Sequence, residues 1–232
     1  FYGCPAEETL VGKTFMAREG VFDASDICLT WHPMSTNTIW ESSSLAMNSV
    51  KFTFFGQSAH AAANPEAGKS ALKAVQLMDI GTQFLREHII DEARIHSTIT
   101  NGGGGPNVVP NKAQIWYYIR APFRQDVEDI YARLKDIAKG AALMTATDYD
   151  IEFITGCYNM LPNRTLGKVL FDNMKKVGPP EFDDEDRALA EELTKSFESG
   201  MKETALRVSG APAELANQTL NETIIEPYDY GK

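Results

Sequence analysis

Val50-Lys51-Phe52-Thr53-Phe54 decides the fold of this chain. Its apolar side chains recur at every second residue, the period of a strand buried on one face, and the Gly56 turn ends it. Downstream, Pro65 and Gly68 punctuate a loop, and Ser70 to Glu87 then carries Leu72, Val75, Met78 and Leu85 on one side, which predicts a helix. Arg94 to Thr100 reads as a strand with Ile95 and Ile99 on one face. Lys112 to Arg120 reads as another, with Ala113, Ile115, Tyr117 and Ile119 alternating. Val127, Ile130, Tyr131, Leu134, Ile137, Ala138 and Ala141 fit helical spacing at every step, and Tyr149, Ile151 and Phe153 form a closing strand. The order strand, helix, strand, strand, helix, strand is that of a ferredoxin-like α+β sandwich, two helices over one face of an antiparallel sheet.

The flanks are less regular. Phe1-Tyr2-Gly3 opens like a strand cut through its middle. Glu7 and Glu8 then stand near the start of a short helix whose apolar face is Val11, Phe15 and Met16 and which Gly20 ends. Ile27, Leu29 and Trp31 alternate as a strand leading to His32-Pro33. Beyond Pro162, helices are expected from Leu166 to Val177 and, past the Gly178-Pro179-Pro180 break, through Leu189, Leu193 and Phe197. From Gly200 onward no clear period remains.

Composition excludes several classes. The net charge of −10, from 32 acidic and 22 basic residues, argues against a nucleic-acid partner, which needs a basic face. No apolar run approaches the roughly 20 residues of a membrane span, and the start has no basic flank of the secretory kind, so no membrane partner and a cytoplasmic location are expected. Cys4, Cys28 and Cys157 are too few and scattered for a disulfide framework or a zinc knuckle. The run Gly102 to Gly105 lacks the Lys-Ser/Thr of a phosphate loop and no helix start follows it, which excludes nucleotide binding there.

Several residues could do chemistry. Adjacent carboxylates such as Glu7-Glu8 can divide two tasks, one binding metal and one moving protons; they are equally what the first turn of a helix favours. His32, at the end of its expected strand, and Glu8 are nitrogen and oxygen donors that suit zinc or manganese, although two ligands do not make a site. His60 lies in the polar loop after the first sandwich strand, as a functional or a capping histidine. Asn107 offers both a donor and an acceptor beside the glycine run. Arg120, on the polar register of its strand, could clamp a carboxylate bidentately or serve as a surface ion-pair partner.

Four ordered blocks go further. Gly3-Cys-Pro-Ala-Glu-Glu8, Thr30-Trp-His-Pro33, Phe55-Gly-Gln-Ser-Ala-His-Ala-Ala62 with Pro65, Gly68 and Ser70-Ala-Leu72, and Asn107-Val-Val-Pro110 together resemble the aminoacylase/carboxypeptidase family of dinuclear metallohydrolases. The finer wording, such as Gly12-Lys-Thr-Phe-Met16 and Leu161-Pro-Asn-Arg-Thr-Leu166, is similar to members that act on aromatic acyl-glutamates. The resemblance is strong up to about Phe197. It implies an α/β fold in which a partial catalytic αβα domain, residues 1–47 and 159–232, carries an inserted lid and dimerisation domain, residues 48–158.

It also implies Glu7 as general base, Glu8 and His32 as metal ligands, and His60 as a catalytic residue that reaches a partner subunit's site to polarise the scissile carbonyl. Asn107 and Arg120 would hold the substrate's carboxylate. The cofactors implied are two divalent ions, Mn or Zn, in the full-length enzyme. The partners implied are a small acyl-amino acid substrate and a second copy, with a homologous subunit as an alternative. The family's earlier ligand block and its last one are not in this sequence, so the chain alone is expected to be inactive and to bind no metal. The rival readings are a non-catalytic dimerisation module and a dipeptidase, aminoacylase or deacetylase of the same family.

Overall fold

A computed structural model describes residues 1–9 and 12–228. The chain divides into two units, Phe1–Asp26 with Ser44–Asn159, and Ile27–Ser43 with Met160–Lys232.

The first unit holds the sandwich. Four strands, β1 (Ala46–Phe55), β2 (Arg94–Asn101), β3 (Lys112–Ala121) and β4 (Asp148–Cys157), form one sheet in the order β2-β3-β1-β4, every neighbour antiparallel. The short helix α1 (Gly12–Arg18) precedes β1; α2 (Ala71–Leu85) follows it, and α3 (Arg124–Thr145) links β3 to β4. This is the ferredoxin-like arrangement that the alternating pattern predicts.

One face of the sheet is dry. Val50, Phe52 and Phe54 of β1 and Ile115, Tyr117 and Ile119 of β3 pack against Val75 and Met78 of α2 and Val127, Ile130 and Leu134 of α3. Burial of this apolar surface, about 25 cal/mol per Å², drives the assembly. The other face carries Lys112, Gln114, Trp116, Tyr118 and Arg120 of β3 beside Phe55, Thr53, Lys51, Ser49 and Met47 of β1. Here polar side chains pair across strands. Gln114 Nε2 donates to Thr53 Oγ1 at 2.8 Å, Trp116 Nε1 to Ser49 Oγ at 2.9 Å, and Lys51 lies 5.2 Å from the Trp116 ring centroid.

The chain enters and leaves the sandwich side by side, because Met47 of β1 pairs with Cys157 of β4. Arg124, at the start of α3, secures this end. It donates to the Met47 carbonyl and to Asn48 Oδ1, pairs with Glu128, and its guanidinium lies 5.8 Å from the Tyr158 ring centroid. An added Cβ at Gly156 would come within 2.6 Å of Asn48 Oδ1 and 2.9 Å of Arg124 Nη1, so a larger residue there would have to displace this hydrogen-bonded pair.

In the second unit α4 (Arg164–Val177), α5 (Asp184–Thr194) and α6 (Met201–Ser209) follow one another. Asp183 caps α5 with a reciprocal capping box, accepting from the Glu185 and Asp186 amides while Asp186 accepts from the Asp183 amide. The segment 36–38 is fastened to the chain's far end. Asn37 bridges Ile224, Asn37 Nδ2 donates to the Asn221 carbonyl at 2.8 Å, and Thr38 Oγ1 donates to the Ile225 carbonyl at 3.1 Å.

Three expectations fail. Ile27, Leu29 and Trp31 alternate, but no strand pairs with them among the described residues, and their side chains stand 56%, 63% and 79% exposed. Alternation makes a strand only where a neighbour supplies the ladder. Phe1-Tyr2-Gly3 is likewise unpaired as a strand; Tyr2 instead meets Phe22 edge to face at 5.1 Å. Finally, α6 occupies a stretch whose sequence shows no clear period. It runs between Gly200 and Gly210, both at positive φ, and buries Leu206 against Ala211 and Ala216. Val11, expected on the first helix, lies outside the described residues.

Candidate functional site

The His60 loop is built by backbone pairing. Gln57 and Lys69 exchange amide and carbonyl bonds of 2.8 and 2.9 Å, and an added Cβ at Gly56 would lie 1.9 Å from the Lys69 carbonyl oxygen, so only glycine allows this approach. His60 then bridges Val108. The Ala61 amide donates to the Asn107 carbonyl and the Val109 amide to the Ala59 carbonyl, both at 2.9 Å. His60 and Asn107 are thus held in one loop pair.

The imidazole is oriented as well. His60 Nδ1 accepts from the Ala62 and Ala63 amides, both at 3.2 Å. With Nδ1 engaged as an acceptor, the neutral ring carries its proton on Nε2. The residue is exposed, so this Nε2–H is free to donate to something that docks on the loop. The Asn107 side-chain amide is exposed too and has no hydrogen bond among the described residues.

Arg120 occupies the opposite end of the sheet. Lys112 of β3 pairs with Phe55, at the His60 end, while Arg120 pairs with Met47. Eight residue-to-residue steps of strand separate Lys112 from Arg120, about 27 Å at 3.4 Å per step. Within one copy, Asn107 and Arg120 therefore do not grip the same carboxylate. The Arg120 guanidinium lies 5.6 Å from the Tyr118 ring centroid, and its Nε is buried without a hydrogen-bond partner. Nearby, Cys157 has its thiol pKa raised by burial, against smaller lowering by the Met47 backbone, Arg124 and Arg120.

Glu7 and Glu8 lie in a single 3₁₀ turn, Glu7–Thr9, with exposed side chains. Ala6, just before them, sits at φ 53°, the left-handed region that L residues with a Cβ rarely adopt. Gly12 closes the turn: an added Cβ would lie 1.7 Å from the Pro5 carbonyl oxygen. His32 belongs to the second unit, where Nδ1 is 3.2 Å from the Pro33 carbonyl and the ring meets Trp40 edge to face at 6.1 Å.

Glu8 and His32 are the right donor types for zinc or manganese. Among the described residues, however, no group of three or more His, Cys, Asp or Glu is assembled, so these residues do not by themselves fit a metal centre. Two surface hollows, one lined by Arg187, Glu191 and Glu222 and one by Phe84, His88 and Arg133, hold none of the candidate residues. No helix among the described residues is long and apolar enough to cross a membrane.

Residues 46–144, from the start of β1 into the last turn of α3, match the peptidase dimerisation domain. The sandwich belongs to that family. The dimerisation domain and its flanks also have relatives matched along most of the chain. The chain is 47% identical over 207 residues to one of the subunits of p-aminobenzoyl-glutamate hydrolase from Escherichia coli K12, covering 89% of this chain and 43% of that protein. It is 35% identical over 188 residues to the mouse Xaa-Arg dipeptidase, covering 81% of this chain and again 43% of the relative. The chain thus spans less than half the length of these curated relatives.

Among solved structures, the aminobenzoyl-glutamate utilization protein of Klebsiella pneumoniae superposes with a TM-score of 0.57 at 18% identity, over 93% of this chain and 47% of that one. At that identity it speaks for the α/β fold alone. The relatives matched by sequence are hydrolases, one of them a dipeptidase, and the motif-based resemblance to the aminoacylase/carboxypeptidase family is borne out.

Proposed function

We propose that this chain forms the central part of a metal-dependent amidohydrolase that cleaves an acyl-amino acid amide such as p-aminobenzoyl-glutamate, acting as a cytoplasmic homodimer. In that reading residues 1–47 and 159–232 belong to the catalytic domain and 48–158 form the lid. The observation that carries it is the His60 imidazole, fixed by two backbone amides so that Nε2–H faces outward beside Asn107. A donor held in that way suits a carbonyl oxygen that gains negative charge during attack, and removing such a donor costs roughly 10²–10³ in kcat.

The division of residues between two ends supports a shared site. β2 is an edge strand, and from Ser97 to Thr100 it bears no charge, whereas the opposite edge, β4, is guarded by Asp148, Asp150 and Glu152. Two copies joined along β2 by a two-fold axis pair antiparallel, so the Arg94 end of one strand meets the Asn101 end of its partner. Arg120 of one copy and the His60–Asn107 loop of the other then share one end of a continuous sheet. Asn107 and Arg120 can address one substrate across the dimer although they cannot within a chain.

Glu7 takes a proton from the attacking water and delivers it to the leaving amine, while His60 Nε2–H steadies the carbonyl oxygen and Arg120 holds the carboxylate. Glu8 and His32 are assigned as two of the ligands for a pair of Mn or Zn ions in the whole protein; a divalent ion, when bound, lowers the pKa of its water toward neutrality. In the full-length protein, Glu7→Gln should abolish release of glutamate from p-aminobenzoyl-glutamate without loss of bound metal. Hydrolysis at the unaltered rate refutes the assignment.

A further inference from the structure

Arg94 and Arg120 face each other directly across β2 and β3, on the uncovered side of the sheet. Like charges in that position destabilise a strand pair unless something negative lies between or beside them. Nothing in the sheet supplies it. Their neighbours on the same face are Met47 and Ser49 of β1, Thr155 and Cys157 of β4, and His96 and Tyr118, none of them a carboxylate. Asp91 and Glu92 precede β2, yet among the described residues neither arginine makes an ion pair.

Arg94 Nη1 donates to the backbone carbonyls of Asp91 and Ala93, while its Nε and Nη2 have no partner among the described residues; Arg120 lies over Tyr118 with its Nε buried and, among the same residues, without an acceptor. A buried donor left unpaired costs the desolvation of that group, and a carboxylate is its natural acceptor. An Arg fork accepts one carboxylate bidentately. Two adjacent forks match a ligand with two.

We propose that Arg94 and Arg120 form a seat for a dicarboxylate, Arg120 taking the α-carboxylate of the released amino acid and Arg94 its acidic side chain. Arg94 is then the residue that selects glutamate or aspartate over neutral amino acids. The proposal rests on the amidohydrolase reading and deepens it by naming what distinguishes substrates.

The test compares p-aminobenzoyl-glutamate with p-aminobenzoyl-glutamine in the full-length protein and titrates glutarate and butyrate into this chain. One lost charge-assisted bond predicts that Arg94→Gln raises KM for the glutamate substrate roughly 10- to 100-fold, with kcat and the glutamine substrate unaffected. Arg94→Lys should recover part of the loss. In the chain, glutarate should bind at least tenfold more tightly than butyrate and shift both arginine Nε–H resonances, and Arg94→Gln should erase the preference. Equal losses on both substrates, an unchanged KM, or glutarate binding no better than butyrate overturns the seat. If neither amide is hydrolysed while the glutarate preference holds, the amidohydrolase reading fails and the seat stands. Thermal midpoints of the variants, within about 2 °C of the parent, exclude loss of fold as the cause.

Discussion

Replacing Tyr117 by Phe should weaken the sandwich at neutral pH and strengthen it, relative to the parent, in strong alkali. Tyr117 is fully buried against Phe52, and its hydroxyl lies 3.3 Å from Thr82 Oγ1 and 3.5 Å from Asp79 Oδ1. Removing the hydroxyl orphans neither partner, because Thr82 still donates to the Met78 carbonyl at 2.8 Å and Asp79 still accepts from Ser97 at 3.0 Å. The loss is therefore that of one net hydrogen bond, about 1 kcal/mol.

Burial, with a smaller contribution from the Asp79 carboxylate, raises the phenol well above its ordinary 10.0. A raised folded-state pKa means that the stability this group contributes is fully present below pH 10 and is lost as pH climbs above it, since the unfolded chain then gives up a proton that the folded chain keeps. The slope approaches about 1.4 kcal/mol per pH unit. The phenylalanine variant has no such slope, so a cost of about 1 kcal/mol is cancelled near about pH 10.6 and reversed above it. Urea unfolding of parent and Tyr117→Phe at pH 8, 10 and 11 measures the crossing. A stability gap that is the same at pH 8 and pH 11 refutes the reasoning.

Gly56→Ala should destabilise the sandwich by about 1–3 kcal/mol in urea melts, because its Cβ would meet the Lys69 carbonyl at 1.9 Å. Ile99→Lys, at an uncharged and 46% exposed position of β2, should convert a dimer into monomers in sedimentation velocity while leaving the far-ultraviolet circular dichroism unchanged. Asp183→Ala removes the carboxylate oxygen that accepts from the Glu185 and Asp186 amides at the start of α5 and should cost about 1 kcal/mol, read as faster hydrogen exchange through that helix.

The sandwich was legible because each of its six elements carries its own period: alternation in residues 50–54 and 112–120, a 3.6-residue repeat from Val127 to Ala141. Residues 27–31 have the same alternation and form no strand, since pairing depends on a partner strand that local pattern does not report. Helix α6 escaped because it is short and begins and ends at glycines, with Leu206 alone fully committed to burial. The residue types of the candidate site could be read from motifs. Their distribution could not: the fixed tautomer of His60 depends on the Ala62 and Ala63 amides, and the separation of Asn107 from Arg120 depends on a whole strand lying between them. The facing of Arg94 and Arg120 is a matter of register, which is set by the pairing of two strands rather than by either sequence alone.

The adjacency of Met47 and Cys157 has a genetic consequence. A segment whose two ends lie on paired neighbouring strands, about 5 Å apart, can be spliced into a surface turn of a host without stretching either. Excision of the sandwich would leave a gap that one or two residues can bridge. A single recombination event at these two ends would thus move the whole sandwich as one cassette, leaving the residues on either side of it intact.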